Sequence, residues 1–342
     1  MDFATGRKKA PQSKWKVLVL FILGTFSVAV VWYLRAEPYM PGPYMIAEDD
    51  SVMCSQGDVE KKALLMIENY TRNHPAFLQM SDFFWEKNLS AYQLPYGTQG
   101  SEEILLKVLA LTMRYDMPDS IQNLPCWRCV VVGNGHRLKN SSLGDVINKY
   151  DIVMRLNNAP VHKYEHDVGN KTTMRLFYPE SADFDPNLQN NPDSLMVLVP
   201  FKTPDVQWLK AVLNNEKRSR KGFWKSPPLI WDVKPENVRI LNPYFMEVTA
   251  SKLLNVSIKS PRKHKEKPTT GLLAITFALH LCDVVHIAGF GYPETTNNKQ
   301  TIHYYEQITL KSMADSDHNV SHEAQAIRRL LEARIIRNLT HF

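Results

Sequence analysis

The feature that most limits how this chain can fold is an alternation of short apolar runs with longer helix-like segments across residues 129–291. Apolar runs bounded by turn residues predict buried strands, and the segments between them predict helices. Strands that alternate with helices assemble into a parallel sheet with helices on both faces. We therefore predict an α/β fold with a mostly parallel sheet. The predicted strands are CVVVGN, DIVMRLNN, TTMRLFYPES, SLMVLVPF, VRILNP and DVVHIAGFG, and the main predicted helices are SLGDVINKY, TPDVQWLKAVLNNEK, YFMEVTASKLL and TTGLLAITFALHLC.

Helical patterns flank this region on both sides. VEKKALLMIENY begins a helical pattern at about Val59, and SEEILLKVLALTMRY covers residues 101–115. Ser101 is the predicted N-cap of that second helix, and the glutamates in its first turn suit the positive end of a helix dipole. A long amphipathic helix begins within HNVSHE. Residues 59–342 are therefore expected to form one domain.

The N-terminal region predicts membrane insertion. Residues 17–34 contain no charged side chain, and their length approaches the ~20 residues that a helix needs to cross a bilayer. Basic side chains dominate residues 1–16, so the positive-inside rule places that tail in the cytosol and residues 59–342 in the lumen. A cleaved signal peptide is the alternative, but the apolar run is longer than a typical signal core and no A-x-A-like site follows. Residues 35–58, rich in proline and acidic side chains, are expected to form a stem.

Composition favours a secretory compartment. Four cysteines suit two disulfide bonds in an oxidising lumen. The short apolar span matches the thinner membranes of early secretory compartments. These features indicate a Golgi membrane protein with a single type II anchor. Seven glycosylation sequons lie in the predicted lumenal part, at Asn69, Asn88, Asn140, Asn170, Asn255, Asn319 and Asn338.

The charge balance gives no reason to expect nucleic-acid binding. The formal net charge is +6, and residues 1–16 supply about +4 of it, from five basic residues and one acidic residue. The predicted lumenal part is therefore nearly neutral. Its charge does not require a nucleic-acid partner.

Polar groups follow three of the predicted strands. Gly133-Asn134-Gly135 ends the first strand, Asn157 ends the second, and Tyr178 ends the third. Ligands of open parallel sheets bind beyond the carboxyl ends of the strands. The glycines would let backbone N–H groups approach a phosphate, and the amides offer donors and acceptors to a sugar. The glycine spacing is not G-x-G-x-x-G and no ribose-binding acidic residue stands out, which argues against NAD.

A second candidate region lies at KPTTGLLAITFALHLCDVVHIAGFGY (267–292). Thr269 is a good N-cap, and Gly271 permits close approach of a ligand to the helix N-terminus, where anions bind. The following strand ends in a turn that contains Gly291, and a flat base could lie against its backbone. This segment therefore predicts an anion or nucleotide site.

Two histidines are candidates for catalysis. His303 and His318 fall in polar segments near the predicted strand ends, whereas His280 and His286 stand within apolar runs and are expected to be structural. Glu323, five residues after His318, is expected to orient or polarise that imidazole. Histidine titrates near neutral pH and therefore suits general acid–base chemistry.

Four segments of the sequence resemble the sialylmotifs of animal sialyltransferases, in the family order. CVVVGNGHRLKNSSLGDVINKYDIVMRLNNAPVHKYEHDVGNKTTMRLFYPES resembles the large motif, and PTTGLLAITFALHLCDVVHIAGFGY resembles the small one. HYYE resembles the third motif, and the H-x4-E pattern from His318 to Glu323 resembles the very small motif. The resemblance implies a GT-A-like variant of the Rossmann-like fold. It also implies inverting transfer of sialic acid from CMP-sialic acid to the 3-hydroxyl of terminal β-galactose.

The resemblance also implies roles for individual residues. His318 matches the base that removes the proton of the galactose hydroxyl, and His303 matches the histidine that contacts the donor phosphate. Trp224 falls where a related enzyme has a tyrosine that touches the phosphate, and an indole cannot reproduce a phenol's hydrogen bond. The remaining implied contacts with CMP-sialic acid are Asn134 and Asn157 with phosphate and ribose, Tyr178 next to them, and Thr269, Gly271 and Gly291 around the cytidine.

The same resemblance implies a disulfide between Cys129 and Cys282, which would tie the two nucleotide-binding motifs together. Cys54 and Cys126 remain as a second pair. The implied acceptors are galactose-terminated glycans on glycoproteins and glycolipids, and the N-terminal helix would hold the enzyme in the Golgi membrane.

We expect no metal ion and no cofactor. Asp183-Phe184-Asp185 forms the D-x-D pattern with which many glycosyltransferases hold Mg²⁺ or Mn²⁺ against a sugar diphosphate. CMP-sialic acid has a single phosphate, whose charge a histidine, amides and a helix N-terminus can offset. The surrounding SADFDPNLQNNPD has the composition of a solvated loop.

Two other classes of protein remain as alternatives. A Golgi sulfotransferase has a similar size and topology, but GNGHRLKN lacks the lysine followed by Ser or Thr of a phosphosulfate loop. A non-catalytic carbohydrate-binding membrane protein would have no need of His303 and His318.

Overall fold

The computed structural model describes Cys54 and residues 56–68, 70–84, 90–258, 267–291, 300–309, 311 and 318–340. The predicted tail 1–16, the anchor 17–34 and most of the stem 35–58 lie outside these residues. Within the described ranges, no helix combines the length and apolar character that a membrane span requires.

A sheet of seven parallel strands forms the centre of the domain, in the order β5-β4-β3-β2-β1-β6-β7. The six predicted strands all form, and the mostly parallel sheet is confirmed. β7 was not predicted. It is a short edge strand beside β6. The strands are β1 (Arg128–Val132), β2 (Ile152–Leu156), β3 (Met174–Phe177), β4 (Leu195–Leu198), β5 (Val238–Ile240), β6 (Val284–Ala288) and β7 (Arg337–Asn338).

Helices connect and cover these strands. The helix predicted over 101–115 ends earlier, because Met113 takes a left-handed conformation (φ 59°) that stops helical hydrogen bonding. Residues 249–253 continue α9 as a π-helical turn. The α-helices are α1 (Asp58–Met66), α2 (Ser81–Phe84), α3 (Glu102–Thr112), α4 (Asp119–Gln122), α5 (Gly144–Asn148), α6 (Glu165–Val168), α7 (Pro186–Gln189), α8 (Thr203–Leu213), α9 (Tyr244–Val248), α10 (Thr270–Leu281) and α11 (Val320–Glu332).

The strands bury side chains on both faces, as a parallel sheet requires. In β1, Val131 belongs to the core on the side of α10, whereas Val130 and Val132 pack with residues of α5 on the opposite side. Helix α10 is buried over almost its whole circumference and packs against β1, β2, β3 and β6. A helix that is apolar all round is stable only in such a position. It therefore fixes the two halves of the sheet relative to each other.

Both disulfide bonds join distant parts of the domain. Cys129 in β1 is bonded to Cys282, which lies between α10 and β6, and both residues are fully buried. Cys54 is bonded to Cys126 just before β1. Because β1 and β6 are neighbours in the sheet, the Cys129–Cys282 bond clamps their starting ends together.

His280 is a structural histidine of the core. Its Nε2 lies 2.8 Å from the carbonyl oxygen of His74, and its ring packs edge-on against Phe245. Burial lowers the pKa of His280 to about 4. His286, the other histidine expected to be structural, contacts the hydroxyl of Tyr150 from strand β6. Neither histidine lines the cavity described below.

The protein should lose stability in acid because of His280. Its pKa is lower in the folded chain (about 4) than in the unfolded chain (about 6.5), so the unfolded state binds the extra proton. The free energy of unfolding should therefore fall by up to about 3 kcal/mol as the pH falls from 6.5 to 4. Urea denaturation as a function of pH measures this slope. His280→Gln should flatten it, whereas the exposed control His166→Gln should not, and equal slopes for all three proteins would contradict the assignment.

Candidate active site

A cavity of about 630 Å³ opens at the carboxyl ends of β1, β2, β3 and β6. The chain adds β2 to β5 on one side of β1 and then returns to place β6 on its other side. The chain therefore continues from β1 and from β6 towards opposite edges of the sheet, and the crevice at such a point is where open parallel sheets bind ligands. The N-terminus of α10 and the first turn of α11 complete its walls.

All nine residues that were expected to contact substrate line this one cavity. They come from the loops after β1, β2, β3 and β6, from the segment between α8 and β5, from the N-terminus of α10 and from the segments before α11. A single bound molecule is therefore within reach of both halves of the sheet. The nine are Asn134, Asn157, Tyr178, Trp224, Thr269, Gly271, Gly291, His303 and His318.

The glycines after β1 serve a different purpose from the one predicted. The N–H of Gly133 donates to Ala288 O and that of Gly135 donates to Gly289 O, each at 2.8 Å, so neither is left for a phosphate. A Cβ added to Gly135 would lie 2.4 Å from the carbonyl oxygen of Gly289, which is far inside van der Waals contact. These glycines therefore allow the loops after β1 and β6 to pack backbone against backbone.

Gly135→Ala should consequently disrupt the cavity. Because the obstacle is a backbone carbonyl, the two loops must separate, and overpacking of this kind costs roughly 1–3 kcal/mol. We expect a matching loss of unfolding free energy in urea, together with weaker ligand binding in the cavity. Gly100→Ala is the control for ligand binding: its φ of +75° strains the backbone and should also cost stability, but no atom lies within 4 Å of the added Cβ, so binding in the cavity should be unchanged. If Gly135→Ala were as stable as wild type, the loops would not be packed as described.

Two amide groups reach the cavity with unused hydrogen-bonding capacity. The Oδ1 atoms of Asn134 and Asn157 are buried and have no partner among the described residues. Asn157 adopts a left-handed conformation (φ 54°), which asparagine tolerates better than most residues. A buried acceptor without a partner is costly, so both sites suit a ligand that donates hydrogen bonds, such as a sugar hydroxyl.

The N-terminus of α10 is capped twice. Thr269 Oγ1 accepts from Leu272 N at 3.2 Å, and the Glu323 carboxylate accepts from Thr269 N at 2.7 Å and from its hydroxyl at 2.5 Å. Burial raises the pKa of Glu323 to about 7, although the bonds from Thr269 oppose the rise. The expectation that Glu323 orients His318 is therefore wrong. Glu323 lies in the first turns of α11 and faces α10, whereas His318 precedes the helix.

His318 is held by a backbone carbonyl instead. Its Nδ1 lies 2.7 Å from Lys267 O, two residues before the N-cap of α10. A carbonyl oxygen only accepts, so Nδ1 carries the proton in this contact. In the neutral ring Nε2 is then the basic nitrogen, and the side chain lines the cavity. This is the tautomer that a general base at this position requires.

His303 is fixed on three sides. Its Nδ1 contacts the carboxylate of Glu306, and its ring stacks on Tyr305 with centroids 5.4 Å apart. Its backbone forms an isolated antiparallel bridge with Gly135, which seats the imidazole beside the end of β1. Glu306 was not singled out from the sequence, although its spacing of three residues from His303 is the available signal.

Comparison with known proteins shows to which family this architecture belongs. Residues 77–335 match glycosyltransferase family 29 (sialyltransferase), which is more than half of the chain. The chain belongs to glycosyltransferase family 29, the sialyltransferases. It is 61% identical over 333 residues to "CMP-N-acetylneuraminate-beta-galactosamide-alpha-2,3-sialyltransferase 4" of Rattus norvegicus and of Homo sapiens, covering 97% of this chain and 99% of each relative.

More distant relatives share the fold. "Type 2 lactosamine alpha-2,3-sialyltransferase" of Homo sapiens is 39% identical over 287 residues, which cover 82% of this chain and 86% of that protein. The crystal structure of a mammalian sialyltransferase in complex with Gal-beta-1-3GalNAc-ortho-nitrophenol superposes with a TM-score of 0.65 at 26% identity, covering 84% of this chain and 97% of that one. The α/β architecture is therefore that of a solved sialyltransferase.

A buried charge cluster, which was not predicted from the sequence, supports one wall of the sialyltransferase cavity. Lys202 Nζ lies 2.7 Å from Glu180 Oε1 and 3.3 Å from Asp205 Oδ1, and both carboxylates are fully buried. Burial raises the pKa of Asp205 to about 6. Lys202 itself lines the cavity beside Tyr178, whose pKa burial raises to about 12. On the same wall the indole of Trp224 is 74% exposed.

The D-x-D pattern lies away from the cavity. Neither Asp183 nor Asp185 is among the lining residues in the described chain. Asp183 Oδ1 accepts from Asp185 N at 2.8 Å, and Asp185 caps the short helix α7 through Leu188 N. Both carboxylates therefore have local roles in the loop after Tyr178.

Proposed function

We propose that the chain transfers sialic acid from CMP-sialic acid to the 3-hydroxyl of terminal β-galactose on glycoprotein and glycolipid glycans, with inversion. Relatives at 61% identity, named as α2,3-sialyltransferases, support this acceptor and linkage. The observation that carries the proposal is the cavity itself. It gathers the two histidines, the two asparagines and the N-terminus of α10 around one space.

His318 acts as the general base in this proposal. Its Nε2 takes the proton of the galactose 3-hydroxyl while that oxygen attacks the anomeric carbon of sialic acid from the face opposite to CMP. The bond from the anomeric carbon to the phosphate oxygen breaks, and CMP leaves with the bonding electrons. The contact from Nδ1 to Lys267 O holds the ring in the tautomer that accepts this proton. Attack from the opposite face inverts the configuration.

His303 stabilises the departing phosphate. Nδ1 donates to the Glu306 carboxylate, and in the imidazolium form Nε2 also carries a proton, which it donates to a phosphate oxygen as negative charge develops there. Asn134 and Asn157 hold phosphate and ribose: the amide NH2 groups donate to phosphate oxygens, and the Oδ1 atoms, which have no partner among the described residues, accept from ribose hydroxyls. Thr269, Gly271 and Gly291 surround the cytidine, with the N-terminus of α10 directed at the anion.

The reaction should proceed without a metal ion. The single phosphate of the donor develops less negative charge than a diphosphate. That charge is offset by His303, two amides and a helix N-terminus. We expect initial rates in EDTA to equal those in buffer, and Asp183→Asn/Asp185→Asn to transfer at a rate near that of wild type. Restoration by Mn²⁺ of activity lost to EDTA would overturn both the D-x-D assignment and this account of the phosphate.

The membrane topology is part of the proposal. An uncharged segment at 17–34 after a basic tail supports a single type II anchor, and four disulfide-bonded cysteines support an oxidising Golgi lumen. Translation with microsomes tests the orientation. Glycosylation of the sequons and protection of residues 59–342 from protease are expected, and a protease-accessible catalytic domain would contradict it.

The enzymatic proposal is tested with the full-length chain in detergent. The protein is incubated with CMP-sialic acid and a panel of β-galactosides, and the product linkage is read by NMR. Transfer to the galactose 3-hydroxyl is expected. Transfer to another hydroxyl, or none to any galactoside, would refute the proposal, and sulfate transfer from a nucleotide phosphosulfate would favour the sulfotransferase alternative.

A further inference from the structure

Two arginines lie side by side in the interior of the sheet. Arg155 of β2 and Arg175 of β3 are partners in the strand register, and their residues are 2% and 1% exposed. They are the largest side chains among the fully buried residues of the described chain. Arginine is almost never buried in this way unless its charge is paired.

Among the described residues, neither guanidinium has an anionic hydrogen-bond partner. All but two of their acceptors are backbone carbonyls, and the two exceptions are a hydroxyl and a side-chain amide. Arg155 donates to the carbonyls of Val168, Gly169 and Lys171 and to Thr172 Oγ1 at 2.8–3.1 Å, and Arg175 donates to the carbonyls of Asn157, Ala159 and Gln189 and to Asn190 Oδ1 at 2.6–3.0 Å.

The positive charge is therefore only partly compensated. Asp183 is near enough to raise the pKa of Arg175, but no carboxylate of the described residues forms an ion pair with either arginine. Burial lowers the pKa of Arg155 to about 9 and that of Arg175 to about 10, so both remain charged at neutral pH. A charge that is buried without a counter-ion lowers the stability of the fold. Its presence here therefore indicates that the two arginines serve a purpose other than stability.

The location of the pair supplies such a role. Asn157, whose buried Oδ1 reaches the cavity, follows Arg155 by two residues. Arg175 donates to the carbonyls of Asn157 and Ala159 at 2.9 and 3.0 Å. The guanidiniums thus lie beneath the loop that forms the floor of the cavity at the end of β2. An anion on that floor is attracted through a low-dielectric interior, where screening is weak.

We propose that Arg155 and Arg175 are positioning residues for the anionic donor: their hydrogen bonds hold the loop of Asn157, and their unpaired charge attracts the donor phosphate. The inference rests on the proposed function, because it assumes that a nucleotide phosphate occupies the cavity. It assigns the counter-charge of the two buried arginines to the substrate and not to the protein.

Calorimetric titration of the full-length protein with CMP and with cytidine tests the charge directly. The two ligands share the base and ribose, and only CMP carries the phosphate. For two unit charges roughly 10 Å apart, the loss of one weakens affinity by about tenfold. Arg175→Met should therefore raise the Kd for CMP by about tenfold while changing that for cytidine less than about threefold. Equal losses for both ligands would mean that Arg175 only maintains structure, and would overturn the proposal.

Two further variants keep the test decisive. Arg175→Lys retains the charge without the planar fork, so it should preserve the ratio of the cytidine and CMP dissociation constants. If Arg175→Met does not fold, a lysine variant that loses this ratio overturns the proposal. Arg239→Met is the matched control, since Arg239 on β5 is also buried and bonded to carbonyls but lies two strands beyond β3. It should lose stability without changing the ratio, and an equal change there would also overturn the proposal.

The experiment separates failure of this inference from failure of the proposed function. If wild type binds CMP and the charge-selective loss is missing, only the arginine assignment is wrong. If wild type binds neither CMP nor cytidine, the nucleotide site itself is wrong and the inference falls with it.

Discussion

Replacement of His318 by alanine is expected to lower the turnover number by about 100-fold or more while leaving the Kd for CMP almost unchanged. A positioned general base contributes roughly 10²–10⁴-fold to rate. In the proposed mechanism His318 acts on the acceptor hydroxyl and not on the nucleotide, and Lys267 O holds its Nδ1. The turnover number with a β-galactoside acceptor and the CMP affinity by calorimetry measure the two effects separately.

His303→Ala provides the contrast. If His303 contacts the phosphate, its loss should reduce turnover and also weaken CMP binding. Loss of His318 should leave the affinity for CMP unchanged. A His318→Ala enzyme that keeps more than about a tenth of wild-type turnover would remove His318 from the role of base. Unchanged CMP affinity in His303→Ala would move that residue out of the phosphate site.

Loss of the Cys129–Cys282 bond is the second large effect that we expect. The bond spans 153 residues, and the chain-entropy treatment gives roughly 5 kcal/mol of stabilisation for a loop of that length. Cys129→Ala/Cys282→Ala should therefore unfold at a clearly lower urea concentration. Both residues are fully buried, so the variant also loses packing between the starts of β1 and β6.

The second disulfide is the matched control. The Cys54–Cys126 bond spans 72 residues, and its removal should cost roughly 4 kcal/mol by the same treatment, without touching the core beneath the cavity. The first double variant should therefore lose more stability than the second. Peptide mapping without reductant should recover the two pairs intact, and a Cys126–Cys129 bond or free Cys129 and Cys282 would contradict the structure.

The sequence was sufficient to predict the sheet because most side chains of its central strands are apolar on both faces. Runs such as those of β1 and β6 need only local composition to be recognised. β7 escaped prediction because Arg337–Asn338 is polar and too short to show a pattern, and it becomes a strand only through pairing with β6. Local propensity has little influence on an edge strand of that kind.

The candidate site was predictable at the level of residues but not of contacts. Resemblance to the sialyltransferase family nominated nine of the residues that line the cavity, because family motifs record which side chains face a ligand. It could not show that Glu323 caps α10, since that contact depends on how α11 crosses the start of α10. Arg155 and Lys202 looked like isolated charges in the sequence. Whether a charge is paired is decided by residues far away in the chain, and so it is visible only in three dimensions.

The strand order has a consequence for folding during synthesis of the chain. β1 emerges from the ribosome about 150 residues before β6, its neighbour on one side, and at roughly 5–20 residues per second this interval lasts on the order of ten seconds. During that time β1 presents an apolar edge with unpaired backbone groups, which invites association with other nascent chains. Cys129 remains a free thiol until Cys282 has been synthesised, whereas Cys54 and Cys126 have both been synthesised and can already pair. Chaperones and disulfide isomerases therefore have their clearest substrate in this chain between the synthesis of β1 and that of β6.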